Sequence, residues 1–368
     1  MNHLNITAPV NSTGYGLTSL NILTSLDEMG CEPAWWPIGP VEAPAEYHDS
    51  LRSSKRRTET YDASAASLRI FHQFDLAQHV GKGIHAALPI FELDRFRPVE
   101  LHHLHNQDVI IANSKWAGNV LIQNGIPATK IRYAPLGVDV SIFGPAGDHS
   151  HQATIFLNVG KWEIRKGHDL LLRAFEAAFN SDDNVELWLV CHNPVVPPHM
   201  PNYNEQWVSY YKSSRLAGKI KLLPRQQTQR DIAAIMRQAD CGVFPSRAEG
   251  WGLESAEMLR MGKRIIATEY AGHTGYLTRE NSLLISVDTL EEAHDDVWFF
   301  ANHPDWQGNP GRWASLGKDQ FDQLVEYMRA THREKKEKGF LPLNEAGIKT
   351  MEPLTWTNTA KLILDSLT

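Results

Sequence analysis

The chain has 368 residues, with 36 Lys and Arg against 43 Asp and Glu, a net charge of −7 with histidine neutral; 42% of it is hydrophobic and 21% charged. That length suits two domains of ordinary size, and the balance is that of a soluble globular enzyme. The basic residues are scattered, which excludes a dedicated nucleic-acid binder with a basic patch or stripe; the short run Lys55-Arg56-Arg57, set among Ser and Thr, reads as a solvated loop.

In chain order, Leu4 to Pro9 reads as a first strand. Gly14-Tyr15-Gly16 then forms a glycine loop, and Leu17 to Met29 a helix with leucines at positions 17, 20, 23 and 26, closed by Gly30. A lone Gly-x-Gly fits a plain tight turn as well as a loop open to substrate at the C-terminal edge of a parallel sheet. Trp35 to Ala66 reads as a strand remnant, a long loop and a helix. Strands are expected at Leu68–His72 and Ile84–Phe91, the latter ending in Glu92-Leu93-Asp94. A helix over Leu101–Asn106 precedes a strand at Val109–Ala112, a helix capped by Ser114, and a strand at Ile131–Ala134. His102, His103 and His105 lack a companion carboxylate or cysteine and read as surface histidines, not a metal site.

Gly144 to His151 is polar and rich in breakers, and the domain boundary is placed there, after residue 148. A new strand, Ala153 to Val159, ends in Gly160-Lys161-Trp162-Glu163-Ile164-Arg165-Lys166-Gly167 and feeds a helix from about His168 to Phe179. Strands are expected at Val185–Val190 and Lys219–Leu223, the second ending at Pro224-Arg225, and a helix at Gln229–Gln238. Leu290–Phe300 and Ser315–Lys338 read as helices, and Thr355–Leu367 as a final amphipathic helix. Alternating strands and helices give an α/β protein with parallel sheets covered on both faces.

The stretch from Cys241 to Thr268 carries the most chemistry. A strand runs into Pro245-Ser246-Arg247-Ala248-Glu249-Gly250-Trp251-Gly252, then a short helix from Leu253 to Met261 stopped by Gly262, then a second strand. Glycines let a ligand approach the backbone, and the helix N-terminus favours a phosphate. Glu249 and Glu257 flank that position and accept hydroxyls, so the layout hydroxyl, diphosphate, hydroxyl matches a nucleotide sugar. Lys161 and Lys166 lie on either side of another strand-to-helix turn, placed to converge on one anion.

Three cysteines, Cys31, Cys191 and Cys241, show no metal spacing; Cys241 in its apolar strand reads as a buried reduced thiol. The first ten residues lack a signal-peptide pattern and no run reaches the roughly 18 apolar residues of a membrane helix, so a cytoplasmic protein is expected.

Taken together, these motifs resemble glycosyltransferase family 4, retaining enzymes of the GT-B fold. Pro135 to Asp139 with Phe143 resembles the segment closing the N-terminal domain; Gly160-Lys161 with Lys166-Gly167 resembles the Gly-Arg-x4-Lys-Gly loop; Glu249 to Glu257 resembles the Glu-x7-Glu signature; and Leu354-Thr355-Trp356 begins the helix that crosses back to the first domain. The resemblance implies two Rossmann-like parallel-sheet domains facing each other across a cleft, residues 1–148 with 353–368 on the acceptor side and 149–352 on the nucleotide-sugar side. It implies Glu249 on the donor sugar hydroxyls and Glu257 on the ribose. Lys161 and Lys166 would hold the diphosphate with Gly160 and the backbone of Gly250, Trp251, Gly252 and Leu253. Gly14, Tyr15 and Gly16 would close over the donor phosphate or the acceptor, Glu92 would face the acceptor, and Arg225 would border the base. Lys161 stands where arginine is commonest, and Cys191 and Pro224-Arg225 stand where many members have glycine. The expected reaction is metal-independent transfer of a hexose from a UDP- or GDP-linked sugar to a glycan, lipid or small molecule. A lipid-linked acceptor implies peripheral association with the inner face of a membrane. A protein or nucleic-acid base as acceptor, or a non-catalytic nucleotide-sugar-binding paralogue, remain as alternatives.

Overall fold

The computed structural model describes residues 3–147, 152–196, 199–295 and 311–368. The chain divides into two compact units, Met1–Asp139 with Pro353–Thr368, and Val140–Glu352.

The first unit comprises β1 (His3–Ala8), α1 (Gly14–Glu28), β2 (Glu32–Pro37), α2 (His48–Arg56), β3 (Ser67–Arg69), β4 (His85–Ala87), α3 (Pro98–His105), β5 (Val109–Ala112), α4 (Lys115–Gln123) and β6 (Ile131–Tyr133). The strands form one parallel sheet in the order β2-β1-β3-β4-β5-β6. Leu4, Ile6, Leu68, Ile70 and Ile110 are fully buried, as expected where helices cover both faces of parallel strands.

In the second unit, β7 (Thr154–Gly160), α5 (His168–Ala178), β8 (Val185–Cys191), α6 (Tyr203–Lys212), β9 (Ile220–Leu222), α7 (Gln229–Gln238), β10 (Cys241–Phe244), α8 (Leu253–Arg260), β11 (Arg264–Thr268) and β12 (Leu283–Ile285) follow in turn. Their parallel sheet has the order β12-β11-β10-β7-β8-β9. The chain lays β7, β8 and β9 to one side, then returns to lay β10, β11 and β12 to the other. The switch point therefore falls between β7 and β10, where open α/β sheets bind ligands beyond the strand ends. Asn158 ties the strands together there: its side-chain amide donates to the Val243 carbonyl at 2.7 Å, and its oxygen accepts from the Cys191 thiol at 3.3 Å. The core is built from Phe156, Leu171, Phe175, Leu187, Leu189, Val243 and Ile266, closed by Leu324 and Met328. The last two come from α9 (Lys318–Lys338), whose buried Lys335 reaches Asp240 at 2.8 Å.

Four expectations are corrected. Gly14, Tyr15 and Gly16 are the first turn of α1 rather than a loop ahead of it. Leu290–Glu292 is a strand, β13, paired antiparallel with β14 (Arg312–Ala314), not the start of a helix; positions 296–300 of that expected helix lie outside the described residues. The strand expected over Ile84–Phe91 is only His85–Ala87. The unit boundary falls at Val140, ahead of the breaker-rich stretch. Ile142 and Phe143 are buried, the Ile142 carbonyl accepts from Arg237 at 2.5 Å, and Ala146 N–H donates to the Met261 carbonyl at 3.0 Å, so this segment packs with the second unit.

After α10 (Glu345–Met351), the final helix α11 (Trp356–Ser366) packs on α1 in the first unit. Val138 N–H donates to the Leu354 carbonyl at 2.9 Å, and the Thr359 hydroxyl to the Pro135 carbonyl at 2.7 Å. A Cβ on Gly137 would stand 2.2 Å from Thr355 backbone, so only glycine lets the tail lie this close.

Candidate active site

Two loops meet at the switch point of the second unit, one after β7 and one after β10. Their backbones interlock. Arg247 N–H donates to the Arg165 carbonyl at 2.7 Å, and Gly167 presses so near Pro245 that a Cβ would lie 2.1 Å from its carbonyl oxygen. Gly167 also has φ of 74°, a left-handed conformation that glycine adopts freely. Arg247 clamps the pair from below: both its terminal nitrogens meet the Asp169 carboxylate at 2.9 Å, and one reaches the Ile164 carbonyl at 2.6 Å. The antiparallel pair β13 and β14 braces this arginine through Glu291 at 3.8 Å and the Trp313 ring.

The interlocking concentrates charge. Lys166 Nζ lies 3.0 Å from Glu249 Oε1 and 3.6 Å from Glu254 Oε1. Arg165 meets the other Glu249 oxygen at 3.2 Å and the Ala248 carbonyl at 2.7 Å, while Glu163 holds its far side at 2.7 and 3.0 Å. The Ser246 hydroxyl donates to Glu249 Oε1 at 2.8 Å. Lys166 and Glu249 are more than nine-tenths buried, so neither charge would persist there without its partner. Burial alone would raise the Glu249 carboxyl, but Lys166 and Arg165 overcome it and hold the group at about 2. Burial likewise opposes the Lys166 charge, and Glu249 and then Glu254 more than restore it.

Lys161 is the half-buried cation of the loop, 3.9 Å from Glu163. Its carbonyl is held at 2.9 Å by Nε2 of His168, which burial keeps neutral by lowering its pKa to about 4. Glu257 is buried one turn into α8, with the Gln229 amide 3.5 Å away. Gly250, Trp251, Gly252 and Leu253 form the entry to α8. Gly252, at φ 84°, is the N-cap and has no side chain to occupy the helix N-terminus. Trp251 packs on Tyr276, whose hydroxyl sits 2.6 Å from the Gly252 carbonyl. Behind Glu249, Gly272 N–H donates to its carbonyl at 2.8 Å, following Ala271 at φ 70°. A Cβ on Gly272 would lie 2.0 Å from the Gly250 carbonyl oxygen.

The structure thus brings Gly160, Lys161, Lys166, Glu249, Gly250, Trp251, Gly252, Leu253 and Glu257 to one sheet edge. Arg225 is exposed beyond β9, on the far side of β8 from the lysine loop. Gly14, Tyr15, Gly16 and Glu92 belong to the first unit. There the Tyr15 hydroxyl bridges the backbone of Ile90, accepting from its N–H and donating to its carbonyl at 2.7 Å each, and its ring packs tilted against His72, centroids 4.5 Å apart. Burial raises the Tyr15 phenol, with Glu92 adding to the rise. Arg165, Glu163, Ser246 and Glu254 carry as much of the site as the residues singled out from sequence. For Glu163 and Arg165 the signal available was charge inside a turn bounded by Gly160 and Gly167.

The N-terminus of α8 thus stands at the switch point of a Rossmann-like unit with a buried lysine and carboxylates around it, an arrangement that favours an anion. Residues 153–298, within the second unit, match the family model described as glycosyl transferases group 1. GDP-mannose:cellobiosyl-diphosphopolyprenol alpha-mannosyltransferase of Xanthomonas oryzae pv. oryzae is 25% identical over 209 residues, covering 56% of this chain and 52% of the relative. D-inositol 3-phosphate glycosyltransferase of Salinispora tropica is 25% identical over 235 residues, covering 57% and 46%. The chain thus spans about half the length of these relatives. Among solved structures, sucrose-phosphate synthase from Thermosynechococcus elongatus superposes with a TM-score of 0.69 at 15% identity, covering 99% of this chain and 98% of that one. Anabaena HepE in complex with UDP-glucose gives 0.66 at 12%, covering 99% of each. The fold is GT-B.

Proposed function

We propose that the protein is a retaining glycosyltransferase that moves a hexose from a UDP- or GDP-linked sugar to a glycan, lipid or small-molecule acceptor. The observation that carries this is Lys166, buried between Glu249 and Glu254 at the N-terminus of α8, beside the bare backbone of Gly160. Departure of a nucleoside diphosphate leaves negative charge on the β-phosphate. The desolvated Lys166, the half-buried Lys161 and the first N–H groups of α8 are preorganised to meet it. These cations supply the charge that a divalent metal would otherwise provide, which supports a metal-independent reaction. Glu257 takes the ribose hydroxyls.

Glu249 serves as a clamp on the sugar hydroxyls. Its oxygens already accept from Ser246, Lys166 and Arg165, which suits a fixed acceptor better than a nucleophile that must attack carbon. Retention then proceeds on the front face, the leaving phosphate helping to take the proton from the acceptor hydroxyl. The relative acting on a polyprenol diphosphate supports a lipid-linked acceptor, reached by peripheral membrane association. Among the described residues no helix is long and apolar enough to cross a membrane.

The test begins with a thermal-shift screen of UDP- and GDP-sugars, since a ligand that binds the folded chain stabilises it more the further its concentration exceeds Kd. Donor turnover is then measured in Lys161→Ala, Lys166→Ala and, as control, Lys115→Ala, which alters an exposed helix position in the first unit. Losses of about 10²-fold or more in kcat/KM are expected for the first two and none for the third. Equal turnover in all three overturns the site, binding without turnover shows a non-catalytic nucleotide-sugar binder, and loss of activity in EDTA overturns the metal-free mechanism.

A further inference from the structure

We propose that Glu254 is an internal stand-in for the diphosphate, a carboxylate of this chain that holds the anion position beside Lys166 and yields it to the donor. This rests on the donor-site reading above. Glu254 is the second residue of α8, in the turn whose free N–H groups favour an anion, and the N-cap Gly252 offers no side chain there. Its Oε1 is 3.6 Å from Lys166 Nζ. A Cβ on Gly160 would lie 3.4 Å from that nitrogen and 3.6 Å from that oxygen, so both groups converge over the same bare backbone.

The two carboxylates on Lys166 are unlike. Glu249 is 9% exposed and pinned by Ser246 and Arg165 as well, whereas Glu254 is 26% exposed and sits at the rim. Glu249 is therefore the fixed partner and Glu254 the one able to turn into water. The loops hold Lys161, Arg165 and Lys166 against Glu163, Glu249 and Glu254, so their charges balance before any ligand is counted. A diphosphate arriving against Glu254 meets a like charge, and as Glu254 swings out Lys166 exchanges one anion for another. In the reverse direction Glu254 returns to Lys166 and helps the spent nucleoside diphosphate leave. The effect on affinity is that of one partly exposed ion pair, roughly fivefold.

Isothermal titration of UDP, GDP and the matching nucleosides into the full chain tests this. Glu254→Gln, which keeps the side-chain shape, is expected to bind the preferred nucleoside diphosphate roughly fivefold more tightly, with the nucleoside unchanged; Glu254→Ala is expected to do the same. Unchanged or weaker diphosphate binding in both variants overturns the stand-in, and leaves the donor site standing if Lys161→Ala still weakens binding. That result would make Glu254 an ordinary stabiliser of the helix dipole, visible as a lower Tm alone. If Lys161→Ala binds as the unaltered protein does, the donor site and the stand-in fall together.

Discussion

Both units open with a parallel strand feeding glycines and a helix, but the glycines serve different neighbours. In the first unit a Cβ on Gly16 would strike the backbone and side chain of Asn11 at 2.3 Å, so the chain approaches itself. The first turn of α1 carries no acid, and Tyr15 is tied to Ile90. In the second unit the atoms nearest Gly160 are the ends of Lys166 and Glu254, charged groups that surround a position rather than fill it. The same sequence signal therefore marks close backbone packing in one place and an electrostatic site in the other. Only the burial of charge tells them apart.

The strongest way to break this contrast is to add one carbon to each unit. Gly272→Ala drives a methyl into the Gly250 carbonyl, and Gly137→Ala drives one into Thr355. Each is expected to cost about 3 kcal/mol, read by denaturant unfolding. Only Gly272→Ala should also weaken nucleoside diphosphate binding, by tenfold or more. Equal binding losses in the two would show that the charged site is not local to the second unit.

pH sharpens the contrast next. Glu249 is held at about 2 against an ordinary 4.5, so its contribution to stability is complete above pH 4.5 and is lost as pH falls toward 2. His168 has its pKa lowered to about 4 from 6.5; the unfolded chain takes up that proton first, and stability falls as pH drops from 6.5 toward 4. Tm measured against pH should show both windows, and Glu249→Gln should flatten the lower one while leaving the upper. An unaltered lower window in that variant would separate Glu249 from acid stability. The smallest effect is expected from Tyr15→Phe, about 1 kcal/mol of stability for the lost Ile90 bridge, and a variant as stable as the parent would show that the bridge contributes nothing.

The alternation of strands and helices, the switch-point loops and the glutamate pair were legible because each follows from local pattern. Strand periodicity and glycine placement carry their physics within a few residues. The boundary was not: Ile142 and Phe143 look like any apolar pair, and only their burial against the second unit assigns them. Leu290 to Glu292 has helix-forming residues, yet pairing with Arg312 to Ala314, far along the chain, makes it a strand. Arg165 and Glu254 were hidden for a related reason. A charge in a loop reads as solvated until packing takes its water away, and that depends on what the other loop brings.

The weld between the β7 and β10 loops has an evolutionary and an engineering consequence. Arg247 to Arg165, Gly167 to Pro245 and Arg247 to Asp169 join segments about eighty residues apart into one piece. Substitutions in either segment are therefore constrained by the other, and homologues should vary them as matched sets. A graft of one loop from a relative would import half of a fitted joint, so chimeras with altered donor preference need both loops taken from the same parent.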